Sequence, residues 1–147
     1  MNQIMLLLFI LPLTTGCTAN FYVTPDDFIA QVAESQRRGQ GMVFIPAAPL
    51  FFASRYDANN IQKVLCKDKE GNLLYLFPDR NTQIEITPKS TNELVKMYFD
   101  TVFFEGNKLV GLRSRILPGM SREIALTDID KIEIYAEFPR TEKAKPK

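Results

Sequence analysis

The sequence predicts an α+β fold, with one N-terminal helix and a mostly antiparallel sheet that is either curled or closed into a small β-barrel. Near residue 30, apolar side chains recur at helical spacing between residues that typically start and end helices. From Met42 onward, short apolar or alternating runs are separated by turn residues, which is typical of strands joined by hairpins. With 46% apolar residues in 147, the chain can form one domain with its own core.

The helix is predicted from about Pro25 to Arg38. Thr24 is a suitable N-cap, Pro25 suits the first helical position, and the acidic residues that follow complement the positive end of a helix. Gly39 is typical of the residue after a helix end. The apolar residues of this segment form a stripe of about two turns that should pack on the sheet, namely Phe28, Ile29, Val32 and Ala33.

Two hairpins are predicted where turn residues separate apolar runs. The first joins residues 73–77 to residues 83–86, because the sequence Pro-Asp-Arg-Asn between them favours a tight turn. The second joins residues 108–117 to residues 122–126 across a Pro-Gly sequence, which is the preferred centre of a type II turn. Both hairpins would belong to the antiparallel sheet.

Two further strands complete the predicted sheet. Residues 95–104 carry apolar side chains on both parities, as expected for a central strand that is covered on two faces. After a predicted single helical turn, Lys131–Tyr135 alternates, so Ile132 and Ile134 should face the core. The order of Arg122–Leu126, a short turn and this final strand resembles the end of small SH3-like or Sm-like barrels, which implies a closed barrel. An open α+β sheet is the alternative.

The composition excludes several kinds of active site. The chain has no histidine, which rules out Ser-His-Asp and Cys-His nucleophiles and every histidine-ligated metal or haem. Its net charge is +1 and it has no basic stripe, so no nucleic acid partner is expected. No metal or other cofactor is expected, because Asp128 and Asp130 supply too few oxygen ligands for calcium. Carboxylate chemistry remains open, with Glu85 and Glu133 as candidate acid and base.

The N-terminal segment, residues 1–16, is predicted to be a secretory signal rather than part of the fold. It has no charged side chain, and its apolar run from Ile4 to Leu13 is about half the length that a membrane-spanning helix needs. The small residues that follow this run fit a cleavage region.

The signal ends in Leu13-Thr14-Thr15-Gly16-Cys17, which resembles the lipobox of bacterial lipoproteins. The resemblance implies that Cys17 is acylated and becomes the first residue, so that membrane lipid is one partner. The protein would then lie in the cell envelope, facing the periplasm or the exterior. The alternatives are a secretory signal without acylation and a structural segment that is buried in the fold. Residues 17–23 would form a lipidated tether, residues 24–138 a single domain, and residues 139–147 a disordered basic tail.

One candidate binding segment is Met42–Ala53, which is almost wholly apolar and contains two prolines. It is either an irregular strand pair buried in the core or a surface that presents aromatic side chains to a partner. The partner-binding candidates are Phe44, Phe51 and Phe52.

A second candidate is a group of arginines. Arg113 and Arg115 share one strand parity, and Arg122 lies across the predicted hairpin. Together they either bind a phosphate or carboxylate or form a solvated strand face. Cys66 would be the only thiol left after acylation of Cys17, and it is expected to be a buried apolar residue.

The sequence therefore predicts a small membrane-anchored lipoprotein with a non-enzymatic binding or assembly role in the cell envelope. A protein partner in the envelope is expected, contacted through the apolar segment Met42–Ala53. One alternative is an immunity or inhibitor protein of an envelope-targeted enzyme. Another is a small hydrolase that uses carboxylates alone.

Overall fold

The structure is a computed structural model that describes residues 18–35, 37–47, 50–117 and 119–145. The α+β prediction is wrong, because the described residues form twelve strands and only one helix of eight residues. The fold is mainly β. Two 3-10 turns, Phe99–Thr101 and Leu126–Asp128, interrupt the strands. The helix is α1 (Pro25–Val32), and the strands are β1 (Thr18–Val23), β2 (Arg37–Ala47), β3 (Leu50–Asn59), β4 (Val64–Lys67), β5 (Leu73–Phe77), β6 (Gln83–Pro88), β7 (Val95–Tyr98), β8 (Phe103–Glu105), β9 (Lys108–Leu112), β10 (Ser121–Ala125), β11 (Ile129–Glu137) and β12 (Arg140–Lys143).

The main sheet has seven antiparallel strands in the order β12-β5-β4-β1-β11-β6-β7. The barrel prediction is wrong, because β12 and β7 end this sheet on opposite sides without pairing with each other. A three-stranded sheet, β10-β9-β8, and a two-stranded sheet, β2-β3, make up the rest. The order of β10, a 3-10 turn and β11 follows the predicted pattern, but the turn carries the chain from one open sheet to another.

One face of the main sheet forms the core. Alternate residues of its strands are buried there, as the twofold period of a strand requires. Ile132 and Ile134 face this core, as predicted. The core continues into α1, the first 3-10 turn with the residue after it, and the three-stranded sheet, through Phe28, Val32, Phe99, Val102, Leu109 and Ile124.

The helix starts as predicted and ends early. Thr24 caps it, since its hydroxyl accepts a hydrogen bond of 3.2 Å from the backbone N–H of Asp27. The helix ends at Val32, and Arg37 already belongs to β2. Phe28 and Val32 alone of its apolar stripe are fully buried, so two turns suffice to cover the sheet.

The first predicted hairpin is wrong and the second is confirmed. Strand β5 pairs with β4 and β12, whereas β6 pairs with β11 and β7. Asp79 does form the expected turn, accepting from the N–H groups of Asn81 and Thr82. The turn chemistry is therefore right, but it does not determine which strands pair across the sheet. Strands β9 and β10 pair as predicted, although β9 ends at Leu112.

The predicted central strand over residues 95–104 is also wrong. The chain forms β7, then a 3-10 turn, then β8, and β7 is an edge of the main sheet. The apolar residues occur on both parities because the turn rotates the chain, which places Met97, Phe99 and Val102 in the same core.

The segments predicted to be a tether and a disordered tail each contain a strand. Residues 18–23 form β1, which lies between β11 and β4 in the middle of the main sheet. Residues 140–143 form β12, which pairs with β5. The predicted signal and Cys17 lie outside the described residues. In the part of the chain that the structure describes, no helix has both the length and the apolar character of a membrane span.

Candidate functional site

The most conspicuous surface feature is the hairpin formed by β2 and β3. The two strands pair in continuous antiparallel register from Gly39 opposite Ala58 to Ala47 opposite Leu50. No charged residue occurs between Arg38 and Arg55. The far half of the hairpin is therefore wholly uncharged.

The aromatic side chains of this hairpin are exposed. Phe44 is 67%, Phe51 82% and Phe52 54% exposed, so the alternative in which this segment is a strand pair buried in the core is wrong. The register places Phe44 and Phe51 on one face of the hairpin and Phe52 on the other. Each face of the hairpin therefore carries at least one aromatic side chain that is open to solvent.

The base of the hairpin is firmly attached to the body of the protein. The Tyr56 hydroxyl donates a hydrogen bond of 2.9 Å to Oδ2 of Asp100. The buried side-chain amide of Asn59 donates to the carbonyls of Phe99 and Val102, at 2.7 and 3.1 Å. Gly41 lies under the Tyr56 ring, where a Cβ atom would come within 2.3 Å of Cζ. The base is therefore positioned by packing and hydrogen bonds.

Arg115 belongs to this attachment. Only 9% of it is exposed, and its Nη2 donates 2.6 Å to Oδ1 of Asp100 as well as to the carbonyl of Arg80. Its guanidinium carbon lies 3.8 Å from the Tyr98 ring centroid and 5.2 Å from that of Tyr56. Asp100 thus accepts hydrogen bonds from both Arg115 and Tyr56.

The three arginines proposed for anion binding have different roles. Arg113 follows β9 as an exposed residue, and its backbone N–H donates to the Met120 carbonyl at 3.1 Å. Arg122 is exposed on β10. Arg115 instead forms an ion pair inside the protein, so only Arg113 and Arg122 remain on the surface of the β9–β10 hairpin.

Glu85 and Glu133 are brought together by the fold, which sequence reasoning did not foresee. They lie directly opposite each other on β6 and β11. Lys96 forms an ion pair with Glu85, and Lys131 forms one of 3.1 Å with Glu133. Like charges directly opposite each other are unfavourable in a sheet, and the two lysines offset them. A groove of about 770 Å³ beside α1 is lined by other residues than these two acids.

Asp128 has a structural role. Its carboxylate accepts hydrogen bonds from the backbone N–H of Ser90 at 2.9 Å and from the Ser90 hydroxyl at 2.6 Å. These contacts hold the connection between β6 and β7. Across the described ranges, no three acidic, thiol or imidazole side chains are grouped so that they could hold a metal ion.

Cys66 is buried in the core, as predicted. Burial raises the pKa of its thiol to about 12, because the thiolate would lose its hydration. The thiol is therefore neutral over the whole physiological range. This environment is that of an inert core residue rather than a reactive one.

The raised pKa of Cys66 predicts a loss of stability at alkaline pH. The unfolded chain releases the thiol proton near its ordinary pKa, about 8.5, whereas the folded chain holds it to about 12. The free energy of unfolding should therefore decrease as the pH rises from about 9 towards 12. Urea unfolding at several pH values should show a steeper decrease in the wild type than in Cys66→Ala. Equal slopes would contradict the prediction.

Comparison with family models, with curated proteins and with solved structures finds no match to this chain.

Proposed function

We propose that this chain is a lipoprotein of the bacterial cell envelope, acylated at Cys17, whose binding role is non-enzymatic and is carried by the β2–β3 hairpin. One observation carries the proposal, namely the exposure of Phe44, Phe51 and Phe52 on the two faces of one hairpin. Soluble proteins rarely leave a contiguous apolar surface of this kind uncovered, and such surfaces mark interaction sites.

The N-terminal sequence supports the envelope location. An uncharged apolar run followed by Gly16-Cys17 is the pattern on which the lipoprotein resemblance depends. Strand β1 begins at Thr18, directly after the proposed acylation site. An acylated Cys17 would therefore hold the folded body against the membrane, since no flexible segment separates them.

The proposed envelope location is tested by measuring the intact mass and the membrane partitioning of the full-length product made in a bacterium. We expect the wild type to lose residues 1–16, to gain acyl mass and to enter the membrane fraction. Cys17→Ser should lack the acyl mass. A wild-type product that is unprocessed and remains in the aqueous fraction would contradict the proposed location.

The binding role of the hairpin is tested separately by photo-cross-linking in cells. A benzophenone amino acid is placed at position 51 in the full-length chain, and a matched variant carries it at position 94. Leu94 is 46% exposed and immediately precedes β7, so it controls for exposure alone. We expect adducts from position 51 and not from position 94. An absence of adducts at position 51 would contradict a binding role.

The class of adduct separates the candidate functions. A single enzyme captured at position 51 would favour the inhibitor alternative, since a projecting hairpin with an exposed Phe51 can enter a cleft. The carboxylate hydrolase is not favoured, because Glu85 and Glu133 are each ion-paired with a lysine on a sheet surface.

A further inference from the structure

We propose that the component contacted by the β2–β3 hairpin is one leaflet of a lipid bilayer. The apolar half of the hairpin inserts among the lipids, while Arg55 and Arg80 contact anionic headgroups. This inference rests on the proposed function and names the partner of the same surface.

The apolar half of the hairpin has no polar face. Met42, Phe44 and Phe51 lie on one face of the hairpin, and Phe52 with Ile45 lies on the other. A protein interface typically has an apolar centre with a polar rim, and a hairpin docked on one partner would need only one apolar face. A hairpin that enters the outer part of a lipid leaflet has lipid against both of its faces, so both faces must be apolar.

Two arginines lie where the apolar half of the hairpin begins. The uncharged stretch ends at Arg55, which is exposed and lies opposite Met42 in the register. Arg80, which is also exposed, donates a hydrogen bond of 2.6 Å to the Met42 carbonyl. Two cations therefore mark the level at which the apolar half begins. Arginine at this level extends its guanidinium to the headgroups, and basic residues near a membrane surface attract anionic lipid.

The apolar half of the hairpin is shorter than the hydrocarbon core of a bilayer. From Met42 to Ala47 a strand extends about 17–20 Å, which is less than the roughly 30 Å hydrocarbon core of a bilayer. The hairpin is therefore too short to span the membrane, and it fits the roughly 15 Å hydrocarbon depth of one leaflet when it lies tilted to the membrane normal. Among the described residues β2 and β3 have no third strand, so their outer edges must stay near the interface, where water satisfies the backbone.

The hairpin base and the start of β1 lie at the same end of the main sheet. The register aligns Thr18 with Glu137 near the end of β11, aligns Tyr135 of β11 with Gln83 at the start of β6, and aligns Gln83 with Tyr98 at the end of β7. The hairpin is held there by Arg80, which precedes β6, and by the 3-10 turn that follows β7. Phe138, 73% exposed, follows Glu137 at this end. An acylated Cys17 would bring this end to the membrane.

The test uses tryptophan as a depth probe, since the chain contains none. Full-length product carrying Phe51→Trp is reconstituted in vesicles of phosphatidylcholine and phosphatidylglycerol, some with bromine on the acyl chains. The control is Leu94→Trp at the opposite end of the main sheet, next to Val95, which pairs with Ile86. We expect a blue-shifted emission at position 51 and several-fold stronger quenching by brominated lipid than at position 94.

Two results would overturn the inference. A water-like emission at position 51 means that the hairpin remains in solvent. A blue-shifted emission that brominated lipid does not quench means that a second copy of the chain covers it. If either result accompanies protein adducts from position 51 in cells, the proposed function stands and the lipid assignment fails. If no adducts form either, both fail.

The headgroup contact is tested with Arg55→Gln in the Phe51→Trp background. One fewer cation at the surface should lower the equilibrium between inserted and free hairpin about fivefold in phosphatidylglycerol vesicles, and should have little effect in phosphatidylcholine alone. Arg113→Gln removes an exposed arginine on another hairpin and is the matched control. An equal effect of the two substitutions would overturn the role of Arg55.

Discussion

Replacing Asp100 by asparagine should lower the free energy of unfolding by about 3 kcal/mol. The substitution leaves the shape nearly unchanged but removes the negative charge beside Arg115, which is buried between the Tyr98 and Tyr56 rings. An unpaired buried cation is costly, because the low-polarity surroundings replace neither its counter-ion nor its hydration. Urea denaturation followed by circular dichroism measures the change.

The control is Glu123→Gln, which breaks the ion pair with Lys108 on an exposed surface. It should cost no more than about 0.5 kcal/mol, because solvent screens such pairs. The double substitution Asp100→Asn with Arg115→Met should be more stable than Asp100→Asn alone, since it removes the unpaired charge. If the double variant is the less stable of the two, Arg115 contributes through packing rather than through its charge. In that case the charge pairing of Arg115 with Asp100 does not stabilise the hairpin base.

Truncating Phe28 to alanine should cost about 3–5 kcal/mol of unfolding free energy. Its side chain is fully buried and meets Phe99 edge to face, with ring centroids 6.2 Å apart. Helix α1 has only eight residues, and a helix this short is not stable without its tertiary contacts. The cavity should therefore loosen the whole helix, and hydrogen exchange of its amides should accelerate along with the loss of stability.

Ile29→Ala is the matched control for Phe28→Ala, because it removes an apolar side chain from the same helix at a half-buried position. We expect a loss of about 1 kcal/mol, since much of this side chain is already in contact with water. Equal losses at the two positions would mean that helix propensity, rather than the Phe28–Phe99 contact, holds α1 in place.

The features that could be predicted are those that depend on neighbours in the chain. Thr24 caps α1 and the β9–β10 hairpin forms, because a cap and a short hairpin are decided by residues a few positions apart. The burial of Cys66, Ile132 and Ile134 also follows from local alternation. The end of the helix is not decided locally, because the pairing of β2 with β3 includes the residues from Arg37 onward.

The candidate site likewise combines features that depend on neighbours in the chain with features that depend on distant residues. Sequence reasoning identified Phe44, Phe51 and Phe52, but apolar content alone does not distinguish a buried strand pair from an exposed one. The attachment of the hairpin through Tyr56 and Asp100 joins residues 44 positions apart, and it has no local signal. Arg115 has the pattern of a surface arginine, because its half-buried partner, Asp100, precedes it by 15 positions.

The sequence by itself determined that this chain forms strands, where its helix starts, that Ile132 and Ile134 face the core, and that histidine-dependent chemistry is excluded. These properties follow from composition, local turn and cap chemistry, and the twofold period of a strand. Only the tertiary structure decided that the main sheet stays open, that β5 and β6 lie apart, and that the apolar hairpin projects from the body. Those outcomes depend on contacts between distant residues, whose free energies compete across the whole chain and leave no signature in any one segment.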